Sequence, residues 1–437
     1  MEYFQYHMYF RDNNWNGGSS AILFMDTMEL FSRTGLSLLF VSAAFAATAS
    51  AIEDFCKSTV SFEGGNTNTL LASRGATVHI YADAADWPGV LRAVNDLALD
   101  FGRVTGTNGS LITTGKAARN APTIFNVTGI SEDWSVGVDR AASKAGNIIV
   151  GTIGHSSLIY AIIANGRLTI SAIEGQWEAY VSAFVSNAGH RTGAALVIAG
   201  MLCTPSQNLS NQSWIGSDCR GTIYGIYEIA EQIGVSPWHW FADVPPKSHD
   251  SIYALQTIIY ALQTIKIQKT PTVKYRGFFI NDETPALTGW ADDRYPLSPF
   301  GVPFGAEFYA QVFEVLLRLR ENYLWTAEWN GMFNVDDPRN QLLADEFGIV
   351  MGTSHTEPMA RATREWNKLA NGTDSGWTWV TNNATLHKYF LEGVQRAAPY
   401  ENGMTVGMRG YHDNAISADV QTGVLEALVN AQQQILT

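Results

Sequence analysis

From Lys274 onward the chain alternates short apolar runs with amphipathic stretches of helical spacing, and each apolar run empties into an acidic loop. Tyr275, Phe278, Phe279 and Ile280 lead into Asn281-Asp282-Glu283. Tyr323-Leu324-Trp325 precede Glu328, Asn330, Asn334, Asp336 and Asp337. Gly348-Ile349-Val350-Met351 precede His355 and Glu357, and Met404–Met408 precede Arg409, His412 and Asp413. Buried strands followed by helices predict a (β/α)8 TIM-type barrel, in which polar side chains at the strand C-termini carry the chemistry. Four such βα units are present where a closed barrel needs eight, so the sequence reads as cut short.

The helices of this region are predicted from apolar stripes and start signals. Phe308, Val312, Val315, Leu316 and Leu319 form one stripe. Further helices are predicted from Pro338 (capped by Asp337), from Pro358, over 383–397 and over 418–436.

Upstream, residues 51–248 read as a mixed α/β domain. Strands are predicted at 77–81, 147–150 and 195–200, and helices over 87–101 (apolar Val90, Leu91, Val94, Leu97 and Leu99) and 221–233. Residues 249–273 read as a linker carrying an exact tandem heptapeptide, IYALQTI, at 252–258 and 259–265. The GSLITTGK and GTIGHS turns both fail the spacing of nucleotide-binding loops and read as ordinary turns. Residues 236–246, SPWHWFADVPP, read either as a packed seam or, with Trp290, as sugar-stacking platforms.

The chain of 437 residues is 46% hydrophobic and carries a net charge of −13, which argues against broad attraction to nucleic acid. Residues 28–50 carry a short apolar run ending in Ala47-Thr48-Ala49, the pattern of a secretory signal peptide, with maturation near Ser50 or Ile52. The 1–27 stretch before it reads as an extension from a wrongly chosen start codon. Sequons at Asn108, Asn126, Asn208, Asn211, Asn371 and Asn383 fit a glycosylated, secreted, extracellular protein with no membrane association after cleavage. Cys203 and Cys219 either close a small loop or, with Cys56, remain free thiols. No spacing suggests a metal or an organic cofactor, and a homodimer is compatible with the sequence.

The strings YRGFFINDETPALTGW, LRLRENYLWTAEW, FNVDDP, ADEFGIVMGTSHTEPM and TVGMRGYHD resemble glycoside hydrolase family 115, the xylan α-glucuronidases. So do residues 217–246 and the GTIGHSSLI turn, and the likeness runs from about residue 60 to the end. Family members are considerably longer, continuing through the rest of the barrel, a helical region and a β-sandwich. The resemblance implies release of glucuronic acid or its 4-O-methyl ether from xylan with inversion. Inversion needs a carboxylic acid to protonate the leaving oxygen and a carboxylate roughly 6.5–9.5 Å away to activate water.

The acid is expected at Glu357, with a helix-capping role as its alternative. The base is expected at Asp337 or Asp282, or beyond Thr437. Arg409 and His355, with His412 nearby, are expected to hold the uronate carboxylate, since arginine offers a bidentate fork. Asn281, Glu283, Asn334 and Asp413 are further candidates for binding sugar hydroxyls, and Asp218 is the first-domain residue expected to reach the cleft. Arg276 lies at the opposite strand end. Two competing readings are a defective fragment and a non-catalytic carbohydrate-binding protein using Trp238, Trp240 and Trp290.

Overall fold

Two runs of β-branched and aliphatic residues build the core of the first sheet. In a computed structural model, which describes residues 58–66, 68–115, 146–189, 193–201, 219–255, 265–326, 329–368, 372–416 and 422–437, these runs are central parallel strands. The chain opens with β1 (Val60–Ser61), β2 (Thr69–Ser73) and β3 (His79–Asp83), followed by α1 (Pro88–Thr105) and β4 (Ser110–Thr114). Next come β5 (Asn147–Ile153), α2 (Ser157–Ala164), β6 (Tyr180–Gly189), β7 (Gly193–Met201) and α3 (Arg220–Gln232). β8 (Ser251–Ala254) pairs antiparallel with both β1 and β2, and β9 (Ile265–Gln268) joins the edge of the main sheet. That sheet runs β4-β3-β5-β7-β6-β9; its first four strands are parallel and its last two pairings antiparallel. Ile148, Val150, Leu196 and Ile198 are fully buried, as strands covered on both faces must be.

The stretch predicted as a linker is thus built into both sheets. The first heptapeptide copy supplies β8, and the second ends on the first residue of β9. The part of the tandem between them, 256–264, lies outside the described residues, as do the signal segment, Cys56, Cys203, and the sequons at Asn126, Asn208, Asn211 and Asn371. Asn108 and Asn383 are exposed. The GTIGHS turn enters α2, and its N–H groups are already taken: Asp86 accepts from Thr152 N (2.7 Å) and Asp83 from Ser157 N (2.9 Å). α1 starts with proline and ends at Gly106 in the left-handed conformation (φ 79°). Val90, Val94 and Leu97 of its stripe are buried as predicted, Leu91 is partly buried, and Leu99 faces solvent.

α3 is buried on almost every side, which marks a helix enclosed by packed elements. It packs on α1 and β7 and, on its other side, on α5 (Ala306–Arg318). The approach to the sheet is close enough that a Cβ at Gly200 would lie 2.1 Å from the Thr222 nitrogen. Residues Thr59–Thr437 accordingly form one compact unit.

The second region holds β10 (Gly277–Ile280), α4 (Leu287–Asp292), α5, β11 (Tyr323–Thr326), α6 (Phe333–Asp336), α7 (Asn340–Phe347) and β12 (Val350–Thr353). α8 (Thr363–Lys368), α9 (Trp379–Ala397) and α10 (Thr422–Leu436) follow. β10, β11 and β12 form a parallel sheet in chain order. One face packs Phe278, Ile280, Leu324 and Met351 into the core, while Phe279 and Tyr275 on the other face are exposed.

The expected fourth strand, Met404–Met408, is not formed. Only a parallel bridge at Met351–Asn402 and a bond from Gly403 N to Met351 O (2.8 Å) start the ladder. The Thr405 carbonyl is then taken by Met359 N (2.9 Å), and Thr405 Oγ1 donates to Thr353 O (2.6 Å), so loop contacts replace strand pairing. The described residues therefore hold three parallel strands where four were expected, with no closed barrel. The helix predicted from Pro358 is a single 3-10 turn, Pro358–Ala360.

Glu178 joins the two sheets. It precedes β6, has φ +54° and is fully buried. Arg276 Nη2 reaches it at 2.6 Å, Asn322 Nδ2 at 2.6 Å, and Arg220 Nε lies 2.8 Å away. Arg276 and Asn322 immediately precede β10 and β11, and Arg220 opens α3. Removing one partner of a buried ionic cluster strands the others. Glu178→Ala should lower unfolding free energy by about 3–5 kcal/mol, measured by urea melting.

Glu321, beside this cluster, is mostly buried, and burial pushes its carboxyl up to about 7 despite the nearby Arg276. A carboxyl raised on folding leaves the folded state at a disadvantage that grows from about pH 4.5 to 7 and is constant above. Glu321→Gln should therefore raise the Tm at pH 8 and leave it unchanged at pH 4, a difference worth about 2–3 kcal/mol.

Candidate active site

The loops after the three parallel strands gather most of the carboxylates singled out from the sequence. Asp282, directly after β10, is buried, while its neighbours Asn281 and Glu283 are exposed. Its carboxylate accepts backbone N–H groups from Trp329 (3.2 Å), Asn330 (2.7 Å) and Gly331 (2.9 Å). Burial lifts this carboxyl, and the three donors oppose the lift. Asp282 thus holds the loop after β11 in place, with three backbone donors on its two oxygens.

Asp336 lies across Gly331 from Asp282: a Cβ at Gly331 would sit 3.5 Å from Asp336 Oδ2 and 3.6 Å from Asp282 Oδ2. Asp336 accepts from Met332 N and from Ser298 Oγ (3.0 Å). Burial raises it, with Asp282 adding to the rise. The sequence reading named Asp336 only as part of the acidic loop and chose Asp337. The chain breaks from helix to extended backbone between them (Asp337 φ −143°), so one carboxylate turns inward and the next outward. That break is not visible in FNVDDP.

Asp337 serves a neighbouring helix. It accepts from Ala306 N at the start of α5 (3.0 Å), from Arg339 N (2.9 Å) and from Arg339 Nη2 (2.7 Å). These bonds, chiefly from Arg339, outweigh its partial burial and hold the carboxyl at about 2. The predicted cap on a helix from Pro338 is corrected: α7 begins at Asn340, whose N–H donates to the Asp337 carbonyl (3.0 Å).

Glu357 stands beyond β12 with 1% exposure. It makes no side-chain cap to the turn that follows. Its carboxyl folds back on its own loop, bonded by Ser354 N (3.1 Å), Ser354 Oγ and Thr356 Oγ1. Burial raises its proton affinity, partly offset by those bonds and by His355. The backbone behind it is constrained: Met359 and Ala360 both have φ +57°. Arg396 Nη2 holds the Ala360 carbonyl (2.7 Å), and Glu365 pairs with Arg361 and Arg396 beneath.

His355 and Arg409 meet on one carboxylate. Asp413 Oδ1 lies 3.0 Å from His355 Nε2 and accepts from Arg409 Nε at 2.8 Å, so Asp413 is held below the ordinary carboxylate range by these two partners. Asn334 lines a small cleft with Thr326, Gln341, Thr353 and Asn402. Asp218 and the His412 side chain lie outside the described residues. Arg276 is bound at the opposite strand end, to Glu178 and the Arg320 carbonyl.

Residues 268–437 match the family model for glycosyl hydrolase family 115, a span that contains every site candidate except Asp218. Over that span the chain is a family 115 sequence. A solved structure described as a novel family 115 4-O-methyl-α-glucuronidase with specificity for decorated arabinogalactans is similar, at 29% identity and a TM-score of 0.61. The alignment covers 84% of this chain and 40% of that one, so the chain spans about two fifths of that relative's length. No curated protein matches.

The tryptophan-rich segment is a seam. Trp240 and Phe241 pack on Trp290 (ring centroids 6.2 and 5.2 Å), and Arg294 covers the Trp290 ring at 4.5 Å. Asp282→Asn would leave at least one of the three N–H donors facing an amide hydrogen. The variant should lose about 1–3 kcal/mol of stability, read by thermal melting, before any effect on turnover is considered.

Proposed function

We propose that this family 115 chain is the acid-bearing part of a glycoside hydrolase that releases glucuronic acid or 4-O-methylglucuronic acid side chains from xylan. Glu357 carries this reading: a carboxyl that burial biases toward the protonated form, at the C-terminal end of a parallel strand, inside the span that matches the family. A protonated carboxyl is what the leaving xylosyl oxygen requires. We take β10–β12 as the opening strands of a (β/α)8 barrel, and the protein as secreted and glycosylated.

In this mechanism Arg409 and His355 receive the uronate carboxylate at the position where they now hold Asp413. Inversion needs a second carboxylate with open lone pairs. Asp282 and Asp337 are each engaged in holding backbone N–H groups, whereas Glu283 is exposed beside Asp282. Glu283 is therefore the water-activating candidate this loop supports best. The polymer is open to direct comparison, because the similar solved enzyme is described as specific for decorated arabinogalactans.

The structural engagement of Asp282 and Asp337 also favours a second reading, a chain that binds uronate-bearing polysaccharide without turnover. Release of 4-O-methylglucuronic acid from glucuronoxylan and from arabinogalactan, against binding to each, separates the two. Glu357→Gln should lower kcat by about 10²–10⁴-fold with binding and Tm retained. Undiminished release by the variant would remove Glu357 from the mechanism.

A further inference from the structure

We propose that Ser354 and Thr356 are positioning residues that confine the Glu357 proton to Oε1 by closing a ring of hydrogen bonds around the carboxyl. The inference rests on Glu357 as the proton donor and follows from which atoms can only donate. The Ser354 backbone N–H reaches Oε2 at 3.1 Å and has no acceptor role. The Ser354 hydroxyl bonds the same oxygen. Oε2 is therefore an acceptor in either protonation state, and the acidic hydrogen resides on Oε1.

The partner of Oε1 is Thr356 Oγ1. In the protonated acid that hydroxyl accepts, so its own hydrogen must go elsewhere. Ser354 Oγ stands 3.2 Å away to take it, and passes its own hydrogen to Oε2. Every hydrogen in the circuit then has an acceptor. On ionisation the Thr356 hydroxyl turns to donate to Oε1, and the carboxylate keeps three donors. Water has little access as a substitute, since Ser354 and Thr356 are each 8% exposed.

The loop is locked around this ring by Thr353 Oγ1 on the Glu357 carbonyl (2.7 Å) and by Met359 N on Thr405 O (2.9 Å). The charged groups around it are His355, tied to Asp413, and the Arg361–Glu365–Arg396 cluster below the next turn. The substitutions that follow leave all of them in place.

Thr356→Val keeps the shape and removes both roles of the hydroxyl. A bond to a carboxylate is roughly twice as strong as a neutral one, so the ionised form loses more, and the Glu357 titration should move up by about one unit. The measurement is carbon-13 NMR of the 437-residue chain labelled at glutamate Cδ, with the Glu357 signal identified by its absence in Glu357→Gln. Thr356→Ser should restore the wild-type midpoint, which a purely structural role for the side chain's bulk does not predict. Ser354→Ala should move the midpoint up as well, and it decides the matter alone if Thr356→Val fails to fold. A midpoint unmoved or lowered in these variants overturns the proposal. Failure of the underlying reading shows separately, as undiminished uronic acid release by Glu357→Gln.

Discussion

The buried Glu178 carboxylate is the constraint on which the two sheets depend. Its three partners come from α3 and from the residues immediately before β10 and β11, so one side chain sets the starting height of two strands and of the helix wedged between the layers. A buried carboxylate facing a single arginine would gain little over an apolar contact. Two guanidinium groups and an amide satisfy it far more fully, and the Arg276 fork reaches on to the Arg320 carbonyl. Because the strands begin at fixed heights, their C-terminal ends arrive together, and the loops bearing Asp282, Asp336 and Glu357 share one rim.

On that rim, environment separates carboxylates of similar sequence appearance. Asp337 faces Arg339 and helix N–H groups and is held ionised. Asp282 and Asp336 are lifted by burial, and Asp336 also by Asp282, yet each is consumed in holding the loop between them. Glu357 is buried with a hydroxyl on each of its oxygens, where Asp336 has one from Ser298, and a hydroxyl can reverse direction when a proton leaves. The proton affinity of each carboxyl is thus set by its neighbours more than by its position at a strand end.

The alternation of apolar runs and amphipathic stretches made the βα order legible, because burial on both faces of a parallel strand leaves a continuous apolar signature. The same logic failed at Met404–Met408. That run is apolar enough for a strand, but Thr405 exchanges bonds with Met359 and Thr353, partners that a local pattern cannot reveal. Residues 249–273 looked like a linker because β8 and β9 are short strands whose partners lie far along the chain. His355, Arg409 and Asp413 were each chosen from sequence, and their convergence is a tertiary fact. The partners of Glu357 were written next to it, in GTSHTEPM, as two hydroxyl residues one and three positions earlier; what the sequence hides is that the loop folds back to bring them to the carboxyl.

The paired left-handed residues Met359 and Ala360 have an evolutionary implication. Non-glycine residues held in that region store about 1–3 kcal/mol each. Glycine at either position would relax the turn and so would pass any selection for folding alone. It would also release the backbone that presents Glu357, since the same turn is what Arg396 and Thr405 grip. A lineage under selection for thermal robustness and one under selection for a fixed Glu357 would therefore drift apart at these two positions, and glycine there would mark a chain that has stopped depending on where that carboxyl points.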